Sequence, residues 1–168
     1  MDVNGYDDSS MEQSKGFWNL QPLSGGVYFS AIRDAPGAYF NGDITYNRFL
    51  LNKGNAFDIS TGIFKAPITG IYEFKFSGQQ AGGRGGNLSG GTSLYIYVMR
   101  NGNLEFDIID TSSKSDSIDH NIAFTFQLYV STNDEIKLTV ADDDWLWTGT
   151  GPDGRYRTYF SGELLFTE

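Results

Sequence analysis

Cysteine is missing from all 168 residues, which removes disulfides, thiolate metal sites and cysteine nucleophiles together. That absence leaves the compartment open, because domains of this size fold without bridges whether or not they are secreted. Proline occurs four times and histidine once. Twenty-one glycines come without a G-x-y period, so collagen-like structure is excluded within the chain. No run approaches the roughly 18 apolar residues of a membrane helix, and no membrane insertion is expected. Positive charge is also short: twelve Lys and Arg against twenty-one Asp and Glu leave a net charge of −9. A nucleic acid partner is excluded on that ground, since its affinity comes from neutralising phosphates. The "GGRGG" at 82–86 is a single copy in an acidic chain. The N-terminus "MDVNGYDDSSMEQSKG" lacks the basic and apolar regions of a signal peptide.

What remains is ample for one core. A chain of this length buries roughly 70 % of its unfolded surface, and 39 % of its residues are hydrophobic and 15 % aromatic. Residues 1–16 read as a flexible tail and 17–168 as a single domain. From Val27 onward, short apolar runs alternate with turn dipeptides. Leu94, Ile96 and Val98 share one face of "SLYIYV", with Tyr95 and Tyr97 on the other. Ile122, Phe124, Phe126, Leu128 and Val130 do the same in "NIAFTFQLYV", and Ile136, Leu138 and Val140 repeat the period. A period of two with many aromatic and β-branched residues is the strand pattern. Asn41-Gly42, Asn101-Gly102, Asn133-Asp134 and Pro152-Asp153-Gly154 supply the turns. No segment carries helical period, so eight to ten strands in an all-β sandwich or barrel are expected.

The glycine run "SGQQAGGRGGNLSGGTS" at 77–93 contains Gly85, then Gly90, Gly91 and Thr92 at near phosphate-loop spacing. Gly91 stands where the phosphate-binding lysine is required, and a strand follows instead of a helix, so no nucleotide site is expected. The run reads as an exposed connection between strands. Asn87, in "NLS", is a candidate glycan acceptor there.

The most specific feature is "YNRFLLNKGNAFDISTGIFKAPITGIYEFKF", residues 46–76, with fixed points at Tyr46, Asn52, Phe57, Phe64, Gly70, Tyr72, Phe74 and Phe76. This spacing resembles the signature of the complement C1q globular-head family, which has Phe where Tyr46 stands. "VYFSAIR" at 27–33 is similar to the family's opening strand, and "YFSGELLF" at 159–166 to its closing strand, which usually carries an aromatic in place of Glu163. The resemblance runs from Val27 to Phe166. It implies a ten-stranded jelly-roll sandwich of the type shared with tumour necrosis factor ligands, assembled as a homotrimer, and a secreted or surface-attached recognition protein. Tyr95 and Tyr97 are candidates for subunit contacts. The eight fixed points read as architecture: Gly70 as a turn with free φ, Phe57 and Phe64 as anchors for the "DISTG" turn, Asn52 and Gly54 as a backbone kink.

Chemistry is thin by comparison. His120 beside Asp119 has no G-x-S-x-G nucleophile elbow with it, and no carboxylate pair stands out for glycoside hydrolysis, so no catalytic residue is assigned. Asp2, Asn4 and Glu12 lack the glycine position of a calcium loop. Asp142, Asp143 and Asp144 are the metal candidates. Three adjacent carboxylates are either solvated or bridged by a hard cation such as calcium, which several C1q-family members bind through loop acids. Downstream, Trp145, Trp147, Arg155, Tyr156 and Arg157 are residue types that dominate binding hot spots, although a tryptophan could equally cap the sandwich. The ligand expected for this stretch is a glycan or a protein. The alternatives are a tumour necrosis factor-like signalling ligand for a cell-surface receptor, or a structural trimerisation cap on a longer surface protein.

Overall fold

A computed structural model describes residues 26–33, 38–80, 94–110, 120–141, 146–148 and 158–167. The described residues form thirteen strand segments and no helix. These are β1 (Tyr28–Ile32), β2 (Ala38–Phe40), β3 (Gly42–Asp43), β4 (Arg48–Lys53), β5 (Phe57–Asp58), β6 (Ile63–Lys65) and β7 (Gly70–Gln80). The series continues with β8 (Leu94–Arg100), β9 (Asn103–Asp110), β10 (His120–Val130), β11 (Glu135–Val140), β12 (Leu146–Thr148) and β13 (Tyr159–Thr167). Eight segments have five residues or more. The count exceeds the expected ten because turns cut the chain between β1 and β7 into five pieces, four of them of only two or three residues. At one cut, Asn41 alone separates β2 in the first sheet from β3 in the second, and Gly42 takes φ 79° there.

Both sheets are antiparallel. The first runs β2-β12-β7-β13-β1-β4, with β10 on the free side of β7. The second runs β5-β6-β11-β8-β9, with β3 on β11. The period of two holds: burial alternates along β8 and β11, and Ala123, Thr125, Gln127 and Tyr129 of β10 face water between its apolar residues. The fold is an all-β jelly-roll sandwich.

Aromatic rings join the two sheets. Phe29 of β1 stacks on Phe57 of β5 with centroids 4.1 Å apart and planes at 8°. Phe160 meets both edge-on at 5.2 and 5.7 Å, and Phe64 meets Tyr72 and Phe74 at 5.1 and 5.3 Å. Tyr46, Phe57, Phe64, Tyr72, Phe74 and Phe76 of the sequence motif are all buried. The Tyr72 hydroxyl donates to the Ile68 carbonyl at 2.7 Å. The Tyr46 hydroxyl is buried with no hydrogen-bond partner among the described residues. Burial raises its pKa, against a smaller opposing effect of the Arg33 charge.

Two motif positions come out differently in detail. Gly70 is not among the residues of positive φ, so free φ is not its role. Its missing side chain lets β7 approach β13, because a Cβ there would meet the Phe166 carbonyl oxygen and a Leu164 methyl. The kink at 54–55 is as expected: Gly54 and Asn55 both take positive φ, 87° and 51°, and Asn52 Nδ2 reaches Asn55 Oδ1 at 3.4 Å.

On the outer face of the first sheet, Glu73 lies directly opposite Glu163 across the ladder, an arrangement that repels. Lys75 resolves it by reaching Glu73 at 2.6 Å and Glu163 at 2.9 Å. Those hydrogen bonds raise the lysine pKa. Hydrogen bonds from Lys75, and then from Gln127, lower that of Glu73.

Three stability outcomes follow. Gly70→Ala should destabilise by about 2 kcal/mol or more in urea unfolding, since the nearest contact it would force is with a backbone carbonyl. Tyr46→Phe should raise stability by about 1 kcal/mol, because it removes a buried hydroxyl without a partner. Lys75→Met should lower the melting temperature at neutral pH. The depressed Glu73 pKa contributes stability above its unfolded value, near ~4.3, and loses it as pH falls through the lower folded value. The raised Lys75 pKa contributes fully below ~10.4. The deficit of the variant should therefore be full between these limits and shrink below about pH 4.

Candidate functional site

The ladder register sorts the chain connections into two poles. At one pole Ile32 pairs with Tyr159, Gln80 with both His120 and Leu146, Leu94 with Asp110, and Ile96 with Val140. Connections 34–37, 81–93, 111–119, 142–145 and 149–157 all join strand ends at this pole. At the opposite pole Lys53 pairs with Tyr28 and Gly70 with both Val130 and Thr167. Here β1 begins and β13 ends.

The opposite pole is closed by short turns. Asn101 and Gly102 both take positive φ, 51° and 79°, in the two-residue hairpin favoured by the strand twist. Asn101 Nδ2 donates to Asp134 Oδ1 at 2.8 Å, and its Oδ1 accepts from the Glu135 N–H at 2.8 Å. The Asp134 carboxylate also accepts from Ser131 N–H at 3.1 Å. The bond from Asn101 leads the causes that lower the Asp134 pKa. These groups hold one another and leave little for a ligand.

The pole of long connections stands on a fixed base. Arg33, half-buried at the end of β1, donates through Nη1 to the Thr45 carbonyl at 3.0 Å and hydroxyl at 2.6 Å. Burial lowers its pKa. Its backbone N–H bonds the carbonyl of fully buried Thr158, the residue just after Arg157. Lys137 and Thr139 hold Asp43 at 2.6 and 2.8 Å, which fixes β3 onto β11 just before 142. Burial pushes the Asp43 carboxyl up, but these two partners outweigh it and the net shift is down. Leu146, fully buried, plugs β12 into the core between the tips of β2 and β7.

Of the sequence candidates, Trp147 belongs to β12 and pairs with Tyr39 and Gln79 in the ladder. Trp145, Arg155, Tyr156, Arg157, Asp142, Asp143, Asp144 and Asn87 lie outside the described residues, in connections that join strand ends of this pole. Pro152-Asp153-Gly154 is likewise outside them. His120 opens β10 opposite Gln80. Tyr95 and Tyr97 are half-buried on the outer face of the second sheet, across from Ile109 and Asp107. Among the described residues no group of three or more acidic or histidine side chains could hold a metal.

Two surfaces escaped the sequence reading. One is the seam where both sheets end: among the described residues β9 pairs only with β8, and β10 only with β7. Phe106, Ile108, Phe124, Phe126 and Leu128 are half-buried along it, with Phe106 edge-on to Phe126 at 5.3 Å. The other is a cavity of about 550 Å³ on the far side, between β4 and the β5–β6 hairpin. Alternation marks a residue as facing inward. It does not mark which strand has no neighbour.

Comparison with known proteins agrees with this architecture. The C1q domain model matches residues 28–165. Complement C1q tumor necrosis factor-related protein 3 of Mus musculus is 32 % identical over 131 residues, covering 75 % of this chain and 46 % of that protein; the human protein of that name is 31 % identical over the same length. The chain thus spans about half the length of these relatives. In structure, the globular domain of zebrafish complement 1qA superposes with a TM-score of 0.60 at 20 % identity, covering 85 % of this chain and 99 % of that one. Murine APRIL superposes with a TM-score of 0.58 at 14 % identity, covering 83 % and 99 %. The motif at 46–76, the jelly roll and the match over 28–165 together identify the chain as a member of the C1q domain family.

Proposed function

We propose that this chain is a non-enzymatic extracellular recognition module that acts as a homotrimer and binds a glycan or protein ligand through residues 142–157. The observation that carries this reading is the polar sorting of the connections. The strand ends that five of them join lie at one pole, while β1 begins and β13 ends at the other. A rigid base that holds loops away from the chain ends is a common design for binding surfaces. Trp145, Trp147, Arg155, Tyr156 and Arg157 supply stacking faces and charged donors, and Asp142, Asp143 and Asp144 supply acceptors for hydroxyls or calcium.

The seam supports self-association. Strand β10 carries no Asp, Glu, Lys, Arg or Pro, so it has neither charge nor proline to guard an exposed edge. Leu104, Ile109 and Tyr129 add exposed apolar surface nearby. A second copy covering the seam would remove this surface from water.

A glycan array and a panel of cell-surface proteins, each probed with and without calcium, test the reading. A defined ligand should be retained, and Trp145→Ala or Trp147→Ala should weaken it at least ~10-fold without shifting the melting temperature. High affinity for one receptor with nothing on glycans would favour the signalling-ligand alternative. Long fibrous sequence upstream, with no ligand on either panel, would favour the trimerisation cap. Sedimentation should give three times 18.6 kDa; a monomer at micromolar concentration would overturn the assembly.

A further inference from the structure

The cavity on the far side of the sandwich lies where, among the described residues, both sheets have a free edge, β4 in the first and β5 in the second. Its wall includes the apolar side chains of Phe49, Ala56, Phe57, Ile59 and Ile63. Phe49, Ile59 and Ile63 are only partly buried. The polar members are Asn52, Asn55, Thr61, Asp58 and the pair Lys65–Glu135, joined at 3.4 Å. Beside it, Leu50 and Leu51 of β4 are 56 % and 50 % exposed. This is an apolar hollow with a mixed polar margin.

The chain itself enters the sandwich next to this hollow. Val27 is buried against Gly54, where an added Cβ would lie 3.5 Å from it, and its carbonyl accepts from Leu164 N–H at 3.0 Å. Tyr28 pairs with Lys53, and Asn52, Asn55 and Ala56 of the same turn line the hollow. The residues preceding Gly26 therefore start within a few residues of the wall. Their composition is divided. Residues 1–16 hold Asp2, Asp7, Asp8 and Glu12, whereas 17–23 read Phe-Trp-Asn-Leu-Gln-Pro-Leu with no charge. The apolar wall of Phe49, Ile59 and Ile63 suits the uncharged aromatic stretch, whereas the charged one would lose its hydration there.

We propose that residues 17–23 fold back and fill this hollow as a strap, with Phe17, Trp18, Leu20 and Leu23 supplying the apolar contacts. Leu20 is six residues from Gly26 and can reach about 20 Å when extended. Tethering so close to the wall gives the segment an effective concentration in the millimolar range, so modest contacts suffice to hold it. The strap removes Phe49, Ile59 and Ile63 from water and shields the free edges of β4 and β5. It concerns a different face from the proposed ligand pole and does not depend on that reading.

The missing cysteines make a direct test clean. Leu20→Cys is combined with Thr61→Cys on the cavity wall, or with Gln127→Cys on β10. Gln127 lies in one ladder row with Glu73, Glu163 and Tyr28, about 14 Å from β1, so an unanchored segment reaches both positions. Under mild oxidation of the whole chain the strap predicts an intramolecular disulfide at Thr61→Cys in at least ~5-fold higher yield than at Gln127→Cys. Adding Phe17→Ser and Trp18→Ser should bring the first yield down to the second. Equal yields in the two pairs, a yield indifferent to the serine changes, or disulfides formed only between chains would overturn the proposal.

Discussion

Phe29 stacked on Phe57 is the contact on which the sandwich depends. One ring comes from the first sheet and the other from the second, so their 4.1 Å separation sets how closely the layers lie. Phe160, Tyr46, Phe64 and Phe74 close around the pair. Such rings bury 150–250 Å² each on average, about twice what a small aliphatic side chain could. With no disulfide to staple the layers, this cluster works together with the aliphatic core that Leu94, Ile96, Ile136, Leu138 and Leu146 build beside it. It also imposes demands nearby. A tyrosine hydroxyl at position 46 finds no partner among the described residues, and β7 must approach β13 so closely that only glycine fits at 70.

The layers then hold two poles of opposite character. Where turns are two to four residues long, Asn101, Ser131 and Asp134 satisfy each other's polar groups and the pole is finished. Where connections run to thirteen residues, as at 81–93, the strands beneath are pinned by Arg33, Lys137 and Leu146. A binding surface needs both properties, a variable rim and a base that does not yield. The flanks differ too: the β9–β10 seam is lined with aromatic rings, while the opposite flank is hollow.

Much of this was legible before any coordinates. The spacing of Tyr46, Asn52, Phe57, Phe64, Gly70, Tyr72, Phe74 and Phe76 fixed the family, and period-two alternation placed β7, β8, β10 and β11. Residue identity at Gly70 was read correctly for the wrong cause, since a glycine demanded by a neighbouring carbonyl looks the same in sequence as one demanded by φ. The Glu73–Lys75–Glu163 group was invisible, because 88 residues separate the lysine from its second partner. Glu163 could be seen only as a departure from an aromatic. The ligand stretch was named from residue type, and the register adds that its ends share a pole with the glycine run bearing Asn87.

The sequence alone determined the local terms: which residues prefer extended backbone, where glycine and asparagine turn it, and that enough apolar surface exists for one core. These depend on neighbours a few positions away, and a linear pattern records them. Tertiary structure decided which strands have no partner, which connections share an end, and which charges meet across a ladder. Those follow from strand order, which brings residues tens of positions apart to within hydrogen-bond distance. No local period encodes that order.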